Sequence, residues 1–220
     1  MSARIISVRE NILGANNENA EINRNLLDNH HILMINIMSS PGSGKTSLIL
    51  QTINRFRDKY RIAVIEGDIA SSIDRDRIAQ QNIPAIQINT AGGCHLDALM
   101  IKKALDSLDL NGLDLIFLEN LGNLVCTADF DLGAHKNVVI LSIPEGDDKP
   151  CKYPLAFVEA ELVLVNKIDV LAYFDFKLDT FPEIISGLNP SAKVFPVSAK
   201  TGEGMDRWFS WVDEMLTNRN

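Results

Sequence analysis

Eight residues at 39–46, "SSPGSGKT", combine glycines with one lysine and one terminal hydroxyl, the parts needed to hold a chain of phosphates. An apolar run of strand length precedes them and an apolar-periodic helix follows, which is the setting a P-loop requires. Backbone N–H groups of Gly42, Ser43, Gly44 and Lys45 would wrap a β-phosphate. Lys45 would also reach the γ-phosphate, and the Thr46 hydroxyl would ligate Mg²⁺. Ser40, Pro41 and Ser47 complete the expected nucleotide-binding set at this end. Ser39 stands where the usual first glycine would be, so the turn departs from the pattern there while the Gly-Lys-Thr end is intact.

A second set closes the run "LVLVNKID", with Asn166, Lys167 and Asp169 where a buried strand runs out. An aspartate in that place can accept from both N1–H and N2–H₂ of guanine. Adenine offers no such pair and would leave the carboxylate unsatisfied, a mismatch worth about 1–3 kcal/mol or more. Lys167 would lay its stem on the base, and Asn166 would brace the loop. After the next strand, "VSAKTGEG" supplies Ser198, Ala199 and Lys200, with the Ala199 N–H expected to meet guanine O6. The combination selects GTP rather than ATP.

Two strand ends are acidic, "EGD" closing at Asp68 and "ENLGN" starting at Glu119. In an open parallel sheet both would face the phosphate loop across the carboxyl edge, which makes Asp68 and Glu119 the candidate Mg²⁺ ligands beside Thr46. Asp68 could also orient an attacking water. Gly122 could offer its N–H to a γ-phosphate, so Lys45, Asp68 and Gly122 form the expected catalytic set. In "GGCHLDALM", residues 92–100, Cys94-His95 follows two turn-forming glycines. A metal site, a thiol with a neighbouring base, and plain helix-start chemistry all fit that dipeptide, with Leu96, Leu99 and Met100 as a buried helix face.

These residues need a scaffold, and the apolar runs supply one. Strand-length segments fall at 32–38, 61–66, 85–89, 113–119, 137–143, 161–166 and 193–198, too apolar to alternate and therefore covered on both faces. Helix-like segments fall between many of them, at 46–59, 73–81, 96–108 and 205–216. Alternating strands and helices predict an α/β fold with a mostly parallel sheet flanked by helices. Residues 1–30 read as an N-terminal helical segment, in one or two helices around the "GANN" break or as an arm extending from the core. Residues 31–220 read as the nucleotide-binding domain.

A formal charge of −8 provides no cationic field for a phosphate backbone, so nucleic acid is not an expected partner. The three cysteines, Cys94, Cys126 and Cys151, lack the density of a disulfide scaffold and read as reduced thiols in a cytoplasmic protein. No apolar run has the length of a membrane span, and residues 1–24 lack the apolar stretch of a signal peptide. His30, His31 and His135 have no partner pattern and read as surface residues.

In chain order, "MSSPGSGKT", "EGDIASSIDRDR", "GGCHLDA", "LENLGNLVCTADFDLG", "VVILSIPEGDDKPCKYP", "LVLVNKIDV" and "PVSAKTGEG" resemble the HypB family, GTPases that help insert nickel during [NiFe]-hydrogenase maturation. The pairing of "CHLD" with "ENLGNLVC" is the most specific part of the likeness. The related UreG GTPases carry a Cys-Pro-His metal motif that is missing here. The resemblance implies a P-loop NTPase fold of the SIMIBI class and a homodimer favoured by GTP. It further implies slow hydrolysis to GDP, and contacts with a HypA-type nickel chaperone and a hydrogenase large-subunit precursor. Ser40 replaces the second lysine that some members of the class send across their dimer interface.

By the same resemblance Cys94, His95 and Cys126 match the family's metal ligands. Thiolate and imidazole suit Zn²⁺ or Ni²⁺, and one chain offers too few of them for a closed site, so a two-fold partner would supply the rest. Cys126 follows Gly122 closely enough for a loop drawn in by γ-phosphate to carry its thiolate along. Cys151 matches no ligand. The residues ahead of the phosphate loop hold neither the cysteine-rich nickel motif nor the histidine-rich tract of some relatives, which leaves metal handling to the GTPase domain. A urease-type or other metal-insertion GTPase, and a non-catalytic metal-binding scaffold that holds GTP, remain open alternatives.

Overall fold

The computed structural model describes residues 8–68 and 81–219, with side chains from Leu13 onward and without that of Asp68. Seven strands form one sheet: β1 (Leu33–Ser39), β2 (Ile62–Asp68), β3 (Ala85–Asn89), β4 (Leu115–Gly122), β5 (Lys136–Ser142), β6 (Leu162–Asn166) and β7 (Lys193–Pro196). Their order across the sheet is β3-β2-β4-β1-β5-β6-β7, and every neighbouring pair is parallel. Parallel strands need crossover connections, and the helices that provide them cover both faces. This is why β1 and β4 are buried almost throughout rather than alternating.

One face packs on α2 (Lys45–Phe56) and the last helix, α7 (Met205–Thr217). Leu48, Ile49, Ile53 and Phe56 of α2 meet Trp208, Trp211 and Val212 of α7 over Leu33, Ile35 and Ile37 of β1. Trp208 is fully buried, and its indole N–H donates to Thr52 Oγ1 at 2.7 Å, so its polar atom is satisfied inside this layer. The opposite face carries two apolar clusters. The first involves α1 (Val8–Asn29) and α3 (Ala98–Asp106); the second gathers α5 (Pro154–Val158) and α6 (Phe181–Leu188), which follow the short α4 (Lys149–Lys152).

Among the described residues the N-terminal segment is one helix, Val8–Asn29, running through Gly14 without a break at "GANN". Buried Asn23 donates from Nδ2 to the Ala98 carbonyl at 2.8 Å and the Leu132 carbonyl at 3.2 Å, and Asn16 Oδ1 accepts from Ala98 N–H. These two asparagines are thus the helix's attachment to the body. His135 is a correction. Its side chain is only 10% exposed, Nδ1 accepts the Met34 N–H at 2.9 Å, and Nε2 lies 3.2 Å from Asp28 Oδ1. Leu99 is also corrected, being 46% exposed while Leu96 is buried. The helix expected at 73–81 falls, but for its last residue, outside the described residues.

Candidate nucleotide and metal sites

The phosphate loop leaves β1 at its carboxyl end and closes on the N-terminus of α2. Gly42 and Gly44 take φ of 74° and 103°, the left-handed region that a side chain resists, and a side chain at Gly44 would also collide with Asn166. Among the residues that follow, Lys45 Nζ donates to Ser39 Oγ at 3.0 Å. The hydroxyl at the unusual first position therefore holds the lysine. Thr46 Oγ1 donates to Glu119 Oε1 at 2.7 Å, which brings together two of the three expected Mg²⁺ ligands. The side chain of the third, Asp68, lies outside the described residues.

Glu66 was not singled out from the sequence, yet it stands opposite Glu119 in the β2–β4 ladder and is buried with it. Burial at the carboxyl edge, where strand alternation would aim both side chains to one face, was the only available signal. Ser43 adds a second unforeseen link. Its hydroxyl lies 2.8 Å from both the Ser40 carbonyl and Glu145 Oε2, and that same carboxylate oxygen accepts from Ser142 N–H and Ser142 Oγ. Glu145 thereby ties the turn after β5 to the phosphate loop.

The base-side loops close on the phosphate loop as well. Asn166, 2% exposed, donates from Nδ2 to the Ser43 carbonyl at 2.8 Å and accepts the Ala199 N–H on Oδ1 at 3.0 Å. The Ala199 amide, expected to meet guanine O6, is therefore engaged by Asn166. Lys167 sits at φ 65° and sends Nζ to the Gly42 carbonyl at 2.6 Å, so its head is anchored on the phosphate loop. Asp169 Oδ1 accepts from Ser198 Oγ at 2.6 Å, and Ser198 Oγ in turn accepts the Thr201 N–H. Lys200 is exposed at the same rim, as are Pro41 and Gly42 of the phosphate loop.

Gly122 ends β4 against the phosphate loop, in register with Ser39. A Cβ on Gly122 would stand 2.9 Å from Pro41 Cγ and 3.0 Å from Pro41 Cα and N, so only glycine fits. Just beyond it, Asn123 accepts the Val125 and Cys126 N–H groups on Oδ1 and donates to the Cys94 carbonyl at 3.3 Å. One carboxamide thereby holds the backbones of both Cys94 and Cys126. The Cys126 thiol beside Cys94 holds the Cys94 thiol above its ordinary range, with burial acting the same way.

His95 is placed differently. Its Nδ1 lies 3.7 Å from Cys94 Sγ, but the ring stacks on Phe130 with centroids 4.0 Å apart and planes 8° from parallel. Among the described residues no three His, Cys, Asp or Glu side chains are grouped to hold a metal ion. Gly92 provides the turn at φ 92°, and Asp97, rather than Cys94 or His95, caps α3 by accepting the Met100 N–H. Helix-start chemistry is therefore done by a neighbour, leaving Cys94 and His95 outside the cap. Cys151 is an exposed free thiol on α4.

This geometry can be set beside known proteins. Residues 33–196 match the family described as CobW/HypB/UreG, nucleotide-binding domain. The hydrogenase maturation factor HypB of Escherichia coli is 45% identical over 210 residues, spanning 96% of this chain and 72% of that protein. The chain belongs to the HypB family. A crystal structure of HypB from Helicobacter pylori in complex with nickel superposes with a TM-score of 0.87 at 36% identity, covering 93% of this chain and 96% of that one. The signal recognition particle receptor FtsY of Elizabethkingia anophelis shares the fold alone, at a TM-score of 0.51 and 14% identity over 81% of this chain and 66% of its own. The sheet and its neighbours make this a P-loop fold of the SIMIBI class, as expected from the family's motifs. Among the described residues no helix is long and apolar enough to cross a membrane.

Proposed function

We propose that this HypB-family chain is a GTP-binding and GTP-hydrolysing metallochaperone that supports nickel insertion into a [NiFe]-hydrogenase precursor. The observation that carries the proposal is that Asn123, directly after Gly122, bonds the backbones of both Cys94 and Cys126, while Gly122 pairs with Ser39 at the start of the phosphate loop. A site for soft metal ligands and a site for phosphate thus share one short segment of chain. Nickel is the cargo, with Zn²⁺ an alternative occupant of the same thiolates. The exposed position of Cys94, and the absence among the described residues of a third grouped ligand, favour completion of the site by a second copy across a two-fold axis. A HypA-type nickel chaperone and the hydrogenase large-subunit precursor are the partners this role requires.

For the nucleotide, Ser40 to Ser47 hold the phosphates, Asn166, Lys167 and Asp169 the base, and Ser198 to Lys200 its rim. Thr46 and Glu119 present hard oxygen donors already in contact, with buried Glu66 behind them, which suits Mg²⁺. Bound there, Mg²⁺ would neutralise charge on the β- and γ-phosphates. Lys45 and the loop amides stabilise the developing charge, Gly122 offers its N–H to the γ-phosphate, and Asp68 orients the attacking water.

Elemental analysis and size-exclusion chromatography of the protein, with and without a non-hydrolysable GTP analogue, test the reading. Expected are GTP turnover abolished by Lys45→Ala, a GTP-favoured dimer, and bound Ni²⁺ or Zn²⁺ lost on Cys94→Ala and Cys126→Ala. Absence of turnover with metal binding intact would leave a non-catalytic scaffold. Metal retained in both cysteine variants would remove the proposed site.

A further inference from the structure

We infer that Asn123 is the positioning residue through which a nucleotide-driven movement of Gly122 reaches both cysteines at once. The inference rests on the reading above, that this chain binds both a nucleotide and a metal. Four kinds of polar group on this one residue are engaged. Its N–H donates to the Leu121 carbonyl at 2.8 Å, and its carbonyl accepts from Thr127 Oγ1. Its Oδ1 accepts from Val125 N–H at 2.8 Å and Cys126 N–H at 3.2 Å, and its Nδ2 donates to the Cys94 carbonyl at 3.3 Å.

The physical reason for a carboxamide follows from that division. One planar group must present an acceptor to the Cys126 side and a donor to the Cys94 side, and a carboxamide does both from a single short plate. Asn is short enough to cap its own following turn, the Asx geometry seen at Val125 and Cys126. The carbonyl of Cys94 and the amide of Cys126 are therefore hung from the same rigid plate. Gly122 immediately before it pairs with Ser39 where the phosphate loop begins, and lies so close to Pro41 that an added Cβ would overlap it, so a shift of the phosphate loop is transmitted to Asn123. Moving Asn123 changes the separation and angle of the two cysteine backbones together, and with them the geometry a shared metal would experience.

Asn123 joins the two cysteine loops through their backbone groups, the Cys94 carbonyl on one side and the Cys126 N–H on the other. The Asn123 bonds reach backbone atoms of Cys94 and Cys126, so they leave both thiols available to a metal and survive metal loading. The link is built from neutral hydrogen bonds, each of which moves an equilibrium by roughly two- to twelvefold. The donor bond to Cys94 is long and partly exposed, which places its share at the low end.

The test is a coupling measurement on the full chain. Ni²⁺ affinity is titrated with the protein loaded with GDP and with a non-hydrolysable GTP analogue, for wild type, Asn123→Ala and Asn123→Asp. Wild type should show a ratio of the two affinities of about fivefold or more, within the usual span of coupling between sites. Asn123→Ala should bring that ratio below roughly twofold while nucleotide affinity without metal stays within about threefold of wild type. Asn123→Asp keeps the acceptor for Val125 and Cys126 but turns an oxygen toward the Cys94 carbonyl. It should lose the coupling at least in half, and any general gain in Ni²⁺ affinity from its added charge cancels in the ratio.

A wild-type ratio retained in both variants overturns the inference and leaves the metallochaperone reading standing. A ratio of one in wild type instead removes nucleotide control itself, and Asn123's role with it. Should Asn123→Ala fail to bind nucleotide, Asn123→Asp decides alone, because it preserves the turn. By reciprocity the same factor must appear in GTP-analogue affinity measured with and without Ni²⁺, which checks the result without relying on the metal titration.

Discussion

Replacing Asn166 by Ala would cut the buried side chain that ties the phosphate loop to both base-side loops. Asn166 is 2% exposed and holds the carbonyl of Ser43, itself fully buried, and the N–H of Ala199, 4% exposed. Stranding a buried polar group costs about 1–3 kcal/mol, so two of them set an upper range of about 2–6 kcal/mol. Both loops end at the solvent rim and regain some water on opening, which favours the lower half. Lys167 keeps its own bond to the Gly42 carbonyl and limits how far they separate. Because the loops must then be ordered again on binding, GDP and GTP should bind roughly 10- to 100-fold more weakly, or about 1.4–2.8 kcal/mol. Titration with a fluorescent guanine nucleotide gives the affinity, and urea unfolding without nucleotide gives the stability. Asn166→Asp preserves the acceptor for Ala199 but faces an oxygen toward the Ser43 carbonyl, so it should resemble Ala in affinity. A variant that loses stability yet binds GDP within about threefold of wild type would refute the clamp and leave Asn166 a packing residue.

Three further outcomes follow from the same geometry. Gly122→Ala places a methyl against the Pro41 backbone at 3.0 Å, and relief of that overlap should cost about 1–3 kcal/mol, read as weaker GTP-analogue binding at unchanged helix content by circular dichroism. Glu145→Gln converts charge-assisted bonds from Ser43 and Ser142 into neutral ones and should weaken nucleotide binding by about 1 kcal/mol, measured by the same titration. Burial, reinforced by the Arg219 charge, lowers the His135 pKa from 6.5 to about 4. The unfolded chain then binds the proton more readily, so stability from neutral His135 is complete above about pH 6.5 and is lost as pH falls toward 4. Between pH 7 and pH 5 the loss should be about 2 kcal/mol by urea unfolding, and largely absent in His135→Asn, which can still accept the Met34 N–H. Equal pH slopes in the two proteins would contradict it.

The parallel sheet, the phosphate loop and the base-side motif were legible in the chain because each depends on local order. Apolar runs of strand length, glycines at left-handed positions and a lysine-threonine pair at a helix start have the same meaning wherever the rest of the chain goes. The order of motifs also carried the family, which the match over residues 33–196 and the HypB relatives bear out. What the sequence could not decide was which polar groups face each other across long separations. His135 reads as a surface residue, and Asn23 carries no signal at all, because buried polarity looks like solvated polarity until its partner is in place. The Ala199 amide, available to a base in the sequence, is taken by Asn166 from another strand end. His95 stands next to Cys94 in the chain, but packing against Phe130 sets its ring direction. Asn123 has no motif-like spacing to Cys94, and only the adjacency of β4's end to the loop before α3 lets one amide hold both cysteine backbones. Local covalent order sets which elements form, whereas partnership between distant donors and acceptors exists only once the sheet has brought their strand ends to one edge.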